Sequence, residues 1–324
     1  MGYTDYSADL YNHKATLRAK TATPVFAYSA AVSSGKVAAA THDSLNPTKF
    51  TNKVRESRDS AEHPNSLAIA VAFDVTGSMG GVPKTVQTKL NTLMSLLLKK
   101  GYVEDPHIMP AAFGDLYCDY GPLQVGQFEA GNEVEDHLTN IWLEGGGGGQ
   151  VSESPGLFLY YMANYTSIDC FEKRGKKGYI FIITDEKSHS VSKEHIKEFI
   201  GVESERDYSF QEVLDMARTK YNIFVIMPNL TCHYNDSQVN NFWKSHLGEN
   251  FLKLDDPDTV AELIASTIGL CEGNVDNDQL VDDLNDAGLS KTSVDSVTKT
   301  LSTVSSANTA ISNKKYSGTG LKPL

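Results

Sequence analysis

A run of apolar residues over positions 67–73 ends at three oxygen-bearing side chains, Asp74, Thr76 and Ser78. A short, continuous apolar run that stops at a turn is typical of a strand with both faces covered, as in a parallel sheet. The three side chains therefore follow the carboxyl end of a buried strand, which is where open α/β sheets bind their ligands. The chain is predicted to fold around such a sheet, with a site at this strand end.

Apolar strands alternate with amphipathic helices through the rest of the chain up to residue 272. This order predicts an α/β fold, a Rossmann-like, doubly wound and mostly parallel six-stranded sheet. The predicted strands are 67–73, 107–113, 123–128, 179–184, 223–227 and 251–254, and the predicted helices are 82–98, 133–143, 154–165, 210–220, 238–247 and 258–270. The strand at 123–128 follows a Gly-Pro turn and is expected at the antiparallel edge.

Three regions are predicted along the chain. Residues 66–272 form the α/β domain. Residues 1–65 are polar with scattered tyrosines, and an extended arm that packs on the domain is expected there. Residues 273–324 are expected to form a tail with two short helices and a loose, polar end.

Composition excludes several classes of function. The 324 residues carry a formal net charge of −12, whereas nucleic-acid-binding surfaces need a broad basic face, so no nucleic acid is expected as a partner. No signal-peptide pattern or membrane-length apolar run occurs, so a cytoplasmic protein without a membrane partner is expected. The cysteines are too widely spaced for a zinc ribbon, and reduced thiols are expected at Cys118, Cys170, Cys232 and Cys271.

A second strand end carries matching chemistry. The apolar residues 180–183 are followed by Thr184 and Asp185. Parallel strands place their carboxyl ends at one edge of the sheet, so Asp74 and Asp185 are expected side by side. Carboxylates and hydroxyls are hard ligands that suit Mg²⁺, Mn²⁺ or Ca²⁺ and suit zinc poorly. The sequence thus predicts a divalent-cation site at this edge.

The pattern D-x-T-x-S over 74–78 is close to the D-x-S-x-S of the metal-ion-dependent adhesion site, and this stretch resembles the von Willebrand factor A family. The resemblance implies the fold of that family, with Asp74, Thr76, Ser78 and Asp185 as metal ligands. It also implies a hydroxyl ligand from a second, glycine-rich loop. Here five glycines, residues 145–149, precede Gln150, which takes the place of the family's threonine. Ser152 is an equally reasonable ligand because glycines leave the loop free to adjust.

The resemblance further implies a non-enzymatic module that binds a protein partner through an acidic residue at the metal. Intracellular members of the family commonly serve as scaffolds or as adaptors for ring ATPases. Since the leader resembles bacterial and phage-encoded members, a bacterial or phage adaptor or assembly factor is expected. The alternative is a structural subunit of a larger bacterial or phage particle.

Enzymatic functions are less well supported by the sequence. A phosphate-binding loop would need a lysine after the glycines, and none is present. Ser78 lies in T-G-S-M-G, which differs from the G-x-S-x-G of hydrolase nucleophiles. A metal-dependent hydrolase would need a general base, for which His189 is the candidate, although a surface histidine is the simpler interpretation.

Overall fold

The computed structural model describes residues 4–146 and 151–302. Within these residues the strands, in chain order, are β1 (Arg55–Ser57), β2 (Ser66–Asp74), β3 (Asp105–Phe113), β4 (Leu123–Val125), β5 (Ser152–Glu153), β6 (Thr166–Ile168), β7 (Gly178–Ile183), β8 (Lys187–Ser188), β9 (Tyr221–Pro228) and β10 (Phe251–Leu254). Short pairs join β1 to β6 and β5 to β8, both in parallel, and the remaining strands form the central sheet.

The helices of the described residues are α1 (Ala8–Thr21), α2 (Ala27–Ser33), α3 (Val82–Thr88), α4 (Leu90–Lys99), α5 (Glu133–Thr139), α6 (Pro155–Asn164), α7 (Asp169–Glu172), α8 (Lys193–Phe199), α9 (Phe210–Arg218), α10 (Ser237–Leu247), α11 (Val260–Glu272) and α12 (Asn277–Asp286). Residues 291–302 are also helical. None of the described helices is both long and apolar enough to cross a bilayer.

The central sheet of the described residues has six strands in the order β10-β9-β7-β2-β3-β4. Every pair is parallel except β3 with β4, which lies at the edge. Numbered within the sheet alone, the order is 3-2-1-4-5-6, that of a doubly wound fold. The predicted fold class is therefore confirmed, including the antiparallel edge strand. From β2 the chain adds strands first on one side, as β3 and β4, and then on the other, as β7, β9 and β10. The topological switch point therefore lies between β2 and β7.

The core explains why these strands form. All residues of β2, β3 and β7 are buried, which requires cover on both faces of the sheet. The helices α4 and α11 pack together on the sheet, as do α6 and α9. The predicted single helix over 82–98 is divided in two at Lys89, which lies between α3 and α4.

The amino-terminal segment is helical where an extended arm was expected, so that expectation is wrong for α1 and α2. Only Tyr11 is buried in α1, which leaves little apolar periodicity to read from the sequence. The segment is fastened by polar contacts. Asn132 accepts a hydrogen bond from the Ser7 backbone N–H at 2.9 Å, and Arg18 pairs with the buried Glu135.

The carboxyl-terminal segment contains both predicted short helices, α12 and residues 291–302. The second one is tied to the domain, because Ser296 Oγ accepts a hydrogen bond of 3.0 Å from the Asp256 backbone N–H. Residues 303–324, for which a loose end was predicted, lie outside the described residues.

Helix α10 supports the loop that follows β7. The buried Trp243 indole N–H donates to the Glu186 carbonyl at 2.8 Å, one residue beyond Asp185. The helix begins with a cap in which Asp236 Oδ1 accepts hydrogen bonds from the Gln238 and Val239 backbone N–H groups at 2.8 and 3.1 Å.

Asp236→Ala should therefore destabilise the protein by about 1 kcal/mol, the usual cost of losing such a cap. Urea denaturation followed by circular dichroism measures this difference. Asp278→Ala is the control, since Asp278 is an exposed first-turn residue of α12 whose cap is Asp276. A loss as large in the control would show that the effect at Asp236 is not a matter of capping.

Candidate metal centre

The first loop of the site follows β2 directly. Asp74 is completely buried, and its Oδ1 accepts hydrogen bonds from the backbone N–H and the hydroxyl of Thr76 at 2.8 and 2.5 Å. Its Oδ2 accepts a hydrogen bond of 3.0 Å from the hydroxyl of Thr184, at the end of the neighbouring β7. The carboxylate is thus fixed between the two strands that flank the switch point.

The third loop of the site is the one that follows β7, and it brings Asp185 to the same place. The Ser78 hydroxyl donates to Asp185 Oδ1 at 2.8 Å, and the backbone N–H of His233 donates to Oδ2 at 2.9 Å. The Thr76 and Ser78 hydroxyl oxygens are 3.1 Å apart. A continuous chain therefore runs from Asp74 through both hydroxyls to Asp185. The structure brings these four predicted residues together, and their role as metal ligands stays a prediction.

The second loop is only partly described. Its start is held against the first loop, because Gly77 donates a backbone hydrogen bond of 3.0 Å to the Gly146 carbonyl. A Cβ at Gly146 would lie 2.3 Å from Asp119 Oδ1, so a side chain there would require the Asp119 side chain to move. The predicted ligand Gln150 lies outside the described residues. The predicted ligand Ser152 is half-buried in β5.

Glu153, the residue after Ser152, was not predicted as part of the site. Adjacent strand residues point to opposite sides, and here it is Glu153 that points inward, with 1% of its surface exposed. Its Oε2 has no hydrogen-bond partner in the described part of the chain. The short pairing of β5 with β8 fixes this orientation, and no local sequence pattern signals it.

Burial dominates the electrostatics of these acids. It raises the pKa of Asp74 to about 7, with further contributions from the Asp185 and Glu186 charges, against the lowering effect of the Thr76 hydrogen bonds. Burial raises the pKa of Glu153 to about 11, and the nearby charge of Asp74 adds to the effect. Burial also raises the pKa of Glu186, and the charge of Asp185 raises it further. Burial therefore favours the neutral, protonated forms of these acids as long as no cation is bound.

Several other buried carboxylates of the described residues have basic partners. The pairs are Glu135 with Arg18, Glu262 with Lys89 at 3.1 Å, and Asp169 with Lys173 and with Arg58 at 2.8 Å. Within residues 4–146 and 151–302, no lysine, arginine or histidine forms an ion pair with Asp74, Asp185 or Glu153. An unpaired buried charge is costly, so these acids need a proton or a cation.

His189, the candidate general base, makes its contacts with Asp115 and Tyr117. It is half-buried, with Nε2 3.6 Å from Asp115 Oδ1 and its ring edge-on to Tyr117 at a centroid distance of 4.9 Å. Burial lowers its pKa. Its position therefore indicates that it packs beside Asp115.

The side-chain oxygens of the site are the type of ligand that a hard cation prefers. Thr76 and Ser78 donate their protons to Asp74 and Asp185, which leaves hydroxyl lone pairs available, and all the donors are oxygen. Among the described residues, no three Asp, Glu, His or Cys side chains are grouped closely enough to hold a metal ion together. A cation here would therefore depend on two carboxylates, hydroxyls and water.

Comparisons with known proteins give matches to solved structures. No protein-family model matches the chain, and no curated protein matches it. It is similar to the pilus adhesin SpaC from Lactobacillus rhamnosus GG in its open conformation, with 12% identity, a TM-score of 0.43 and coverage of 66% of this chain and 31% of that one.

Two further matches are a von Willebrand factor type A structure from Catenulispora acidiphila and the conserved hypothetical protein BatB from Bacteroides thetaiotaomicron. The first has 13% identity, a TM-score of 0.35 and coverage of 63% of this chain and 42% of that one. The second has 11% identity, a TM-score of 0.38 and coverage of 64% of this chain and 100% of that one. The match spans about a third of SpaC. None of these TM-scores reaches 0.5, so the matches carry no information about the ligand of the site.

Proposed function

We propose that this protein is a divalent-cation-dependent protein-binding module, with Mg²⁺ as the cation and Mn²⁺ or Ca²⁺ as substitutes. One observation carries the proposal. Asp74 and Asp185 are buried at the switch point, are joined by the hydroxyls of Thr76 and Ser78, and have no basic partner in the described part of the chain. A hard cation is the species that relieves such a pair while using the hydroxyl oxygens.

Each residue of the site has a distinct task in this proposal. Asp74 and Asp185 supply negative charge, and Thr76 and Ser78 supply neutral oxygens that orient both carboxylates. Thr184 fixes Asp74, and the His233 backbone N–H fixes Asp185. A bound Mg²⁺ takes six oxygen ligands, so water fills the positions that these side chains leave, and a carboxylate of the partner can replace one water.

The surroundings of the site suit a protein partner. Three large side chains are exposed on loops that leave the carboxyl ends of β3 and β9, which is the same edge of the sheet. They are Tyr117, Tyr120 and Leu230, with exposed fractions of 62%, 77% and 85%. Tyrosine is enriched at the energetic centres of protein interfaces. A partner whose acidic residue is flanked by apolar side chains fits this edge.

We propose that the protein is an adaptor or assembly factor of a bacterium or phage. Its partner in this proposal is a ring ATPase or another assembly, and it catalyses no reaction. A structural subunit of a larger particle is the alternative. Sedimentation of the purified protein separates them, because a particle subunit assembles without a partner and an adaptor stays a small species until one is added.

The experiment that tests the binding function is a pulldown from native lysate with Mg²⁺ or with EDTA, followed by affinity measurement with the purified partner. Thr76→Ala should weaken binding by about thirtyfold, or about 2 kcal/mol, because an oxygen at the centre of the interface is lost. His189→Ala should weaken it much less. Binding unchanged by EDTA and by Thr76→Ala would show that the partner uses another surface.

A further inference from the structure

Glu153 is fixed in a position where its carboxylate faces the site. The Lys187 backbone N–H donates to the Val151 carbonyl at 3.3 Å, and that of His189 donates to the Glu153 carbonyl at 2.9 Å. These bonds hold β5 against β8, the strand that begins two residues after Asp185. The side chain of Glu153 is thereby turned inward, and that of Ser152 is half-buried on the other side.

The inward carboxylate has no conventional neutraliser. The charges that act on it most strongly are those of other acids, namely Asp74, Glu186, Asp115 and Asp119, and its side chain is within hydrogen-bonding reach of Glu186. Glu153 Oε2 and Asp115 Oδ2 are both buried, and neither has a hydrogen-bond partner among the described residues. In its ionised form the unpartnered oxygen of Glu153 is an acceptor without a donor, and a hydrated cation supplies donors through its water.

A second buried glutamate provides the comparison. Glu262 also has an unpartnered Oε2 and is 0% exposed, but its Oε1 lies 3.1 Å from Lys89 Nζ. Burial with a missing hydrogen bond is thus not special to Glu153 in this protein. The difference is that Glu262 has a lysine, whereas Glu153 has only other acids around it in the described part.

We infer that Glu153 is the contribution of the second loop to the cation site, and that it binds the water shell of a cation held by Asp74 and Asp185. This inference rests on the proposed function. It replaces the hydroxyl that the sequence suggested for this loop with a carboxyl group that acts through the water ligands of the cation.

The test is titration of Mg²⁺ and Mn²⁺ into the full chain by calorimetry. Glu153→Gln keeps the size of the side chain and removes its charge. The expected result is a loss of affinity of about 10- to 100-fold, the usual effect of losing a partner of the metal's ligands. Glu262→Gln is the matched control and should leave cation affinity unchanged. Melting in EDTA shows that each variant is folded, and Glu153→Met, which also lacks the carboxyl group, provides a second variant if Glu153→Gln fails to fold.

Each outcome has a separate meaning. Wild-type affinity in Glu153→Gln or, should that variant not fold, in Glu153→Met overturns the inference and leaves the proposed function standing. Glu153 is then neutralised by a proton shared with Glu186. Equal losses in Glu153→Gln and Glu262→Gln also overturn it, since the effect is then a general one. Absence of cation binding by the wild type overturns the proposed function itself.

Discussion

Asp74→Asn should abolish stabilisation of the protein by Mg²⁺. In the wild type, a cation at a hundred times its dissociation constant should add about 2.7 kcal/mol to the free energy of unfolding, because it binds only the native state. Asparagine preserves the shape of Asp74 and can still accept from Thr76, but it removes the charge on which a hard cation depends. The melting temperature of the variant should be the same in Mg²⁺ and in EDTA.

Differential scanning calorimetry in both buffers measures this effect. Glu262→Gln is again the control, because it removes a buried carboxylate that has a lysine partner, and it should keep the full response to Mg²⁺. An equal Mg²⁺ response in Asp74→Asn and wild type would place the cation elsewhere. The acidic stretch of residues 272–286 would then be the next candidate.

The cation-free protein should lose stability as pH rises from about 4 to about 7. The pKa of Asp74 is raised from 3.8 in the unfolded chain to about 7 in the native state, mainly by burial. Between these values the native state retains a proton that the unfolded chain has released, so the free energy of unfolding falls with rising pH. The loss attributable to Asp74 is on the order of 4 kcal/mol and is complete above its native pKa.

Denaturant unfolding in EDTA at several pH values measures this slope, and Asp74→Asn isolates the contribution of Asp74. The difference in stability between the variant and the wild type should grow with pH up to about 7. With Mg²⁺ present the wild type should retain its stability over the same range, because the cation takes the place of the proton. A difference that stays constant with pH would mean that Asp74 is already ionised in the native state.

The first and third loops of the site could be predicted from sequence because their geometry is local to each strand. An apolar run that ends in Asp74 or in Thr184 and Asp185 specifies a buried strand and its carboxyl end. Parallel pairing then brings the two ends together without any further information. The same reasoning explains why the mostly parallel direction of the central strands agreed with expectation.

The second loop could not be predicted, because its geometry depends on residues distant in sequence. The direction in which Glu153 points is decided by pairing with β8, more than 30 residues later along the chain. Glycines 145–149 impose no local preference that would reveal it. The amino-terminal helices could not be predicted for a related reason. Helix α1 is attached through pairs such as Arg18 with Glu135 and has almost no apolar face.

The second loop is hydrogen-bonded to the chain on both sides of the site. On one side the Gly146 carbonyl is bound by Gly77 of the first loop, and on the other the Val151 carbonyl is bound by Lys187, just beyond the third. The chain between these two anchors is only four residues long, residues 147–150. A substitution that displaces Gly146 or Val151 therefore also removes a hydrogen bond from the loop of Asp74 or from the chain just beyond Asp185.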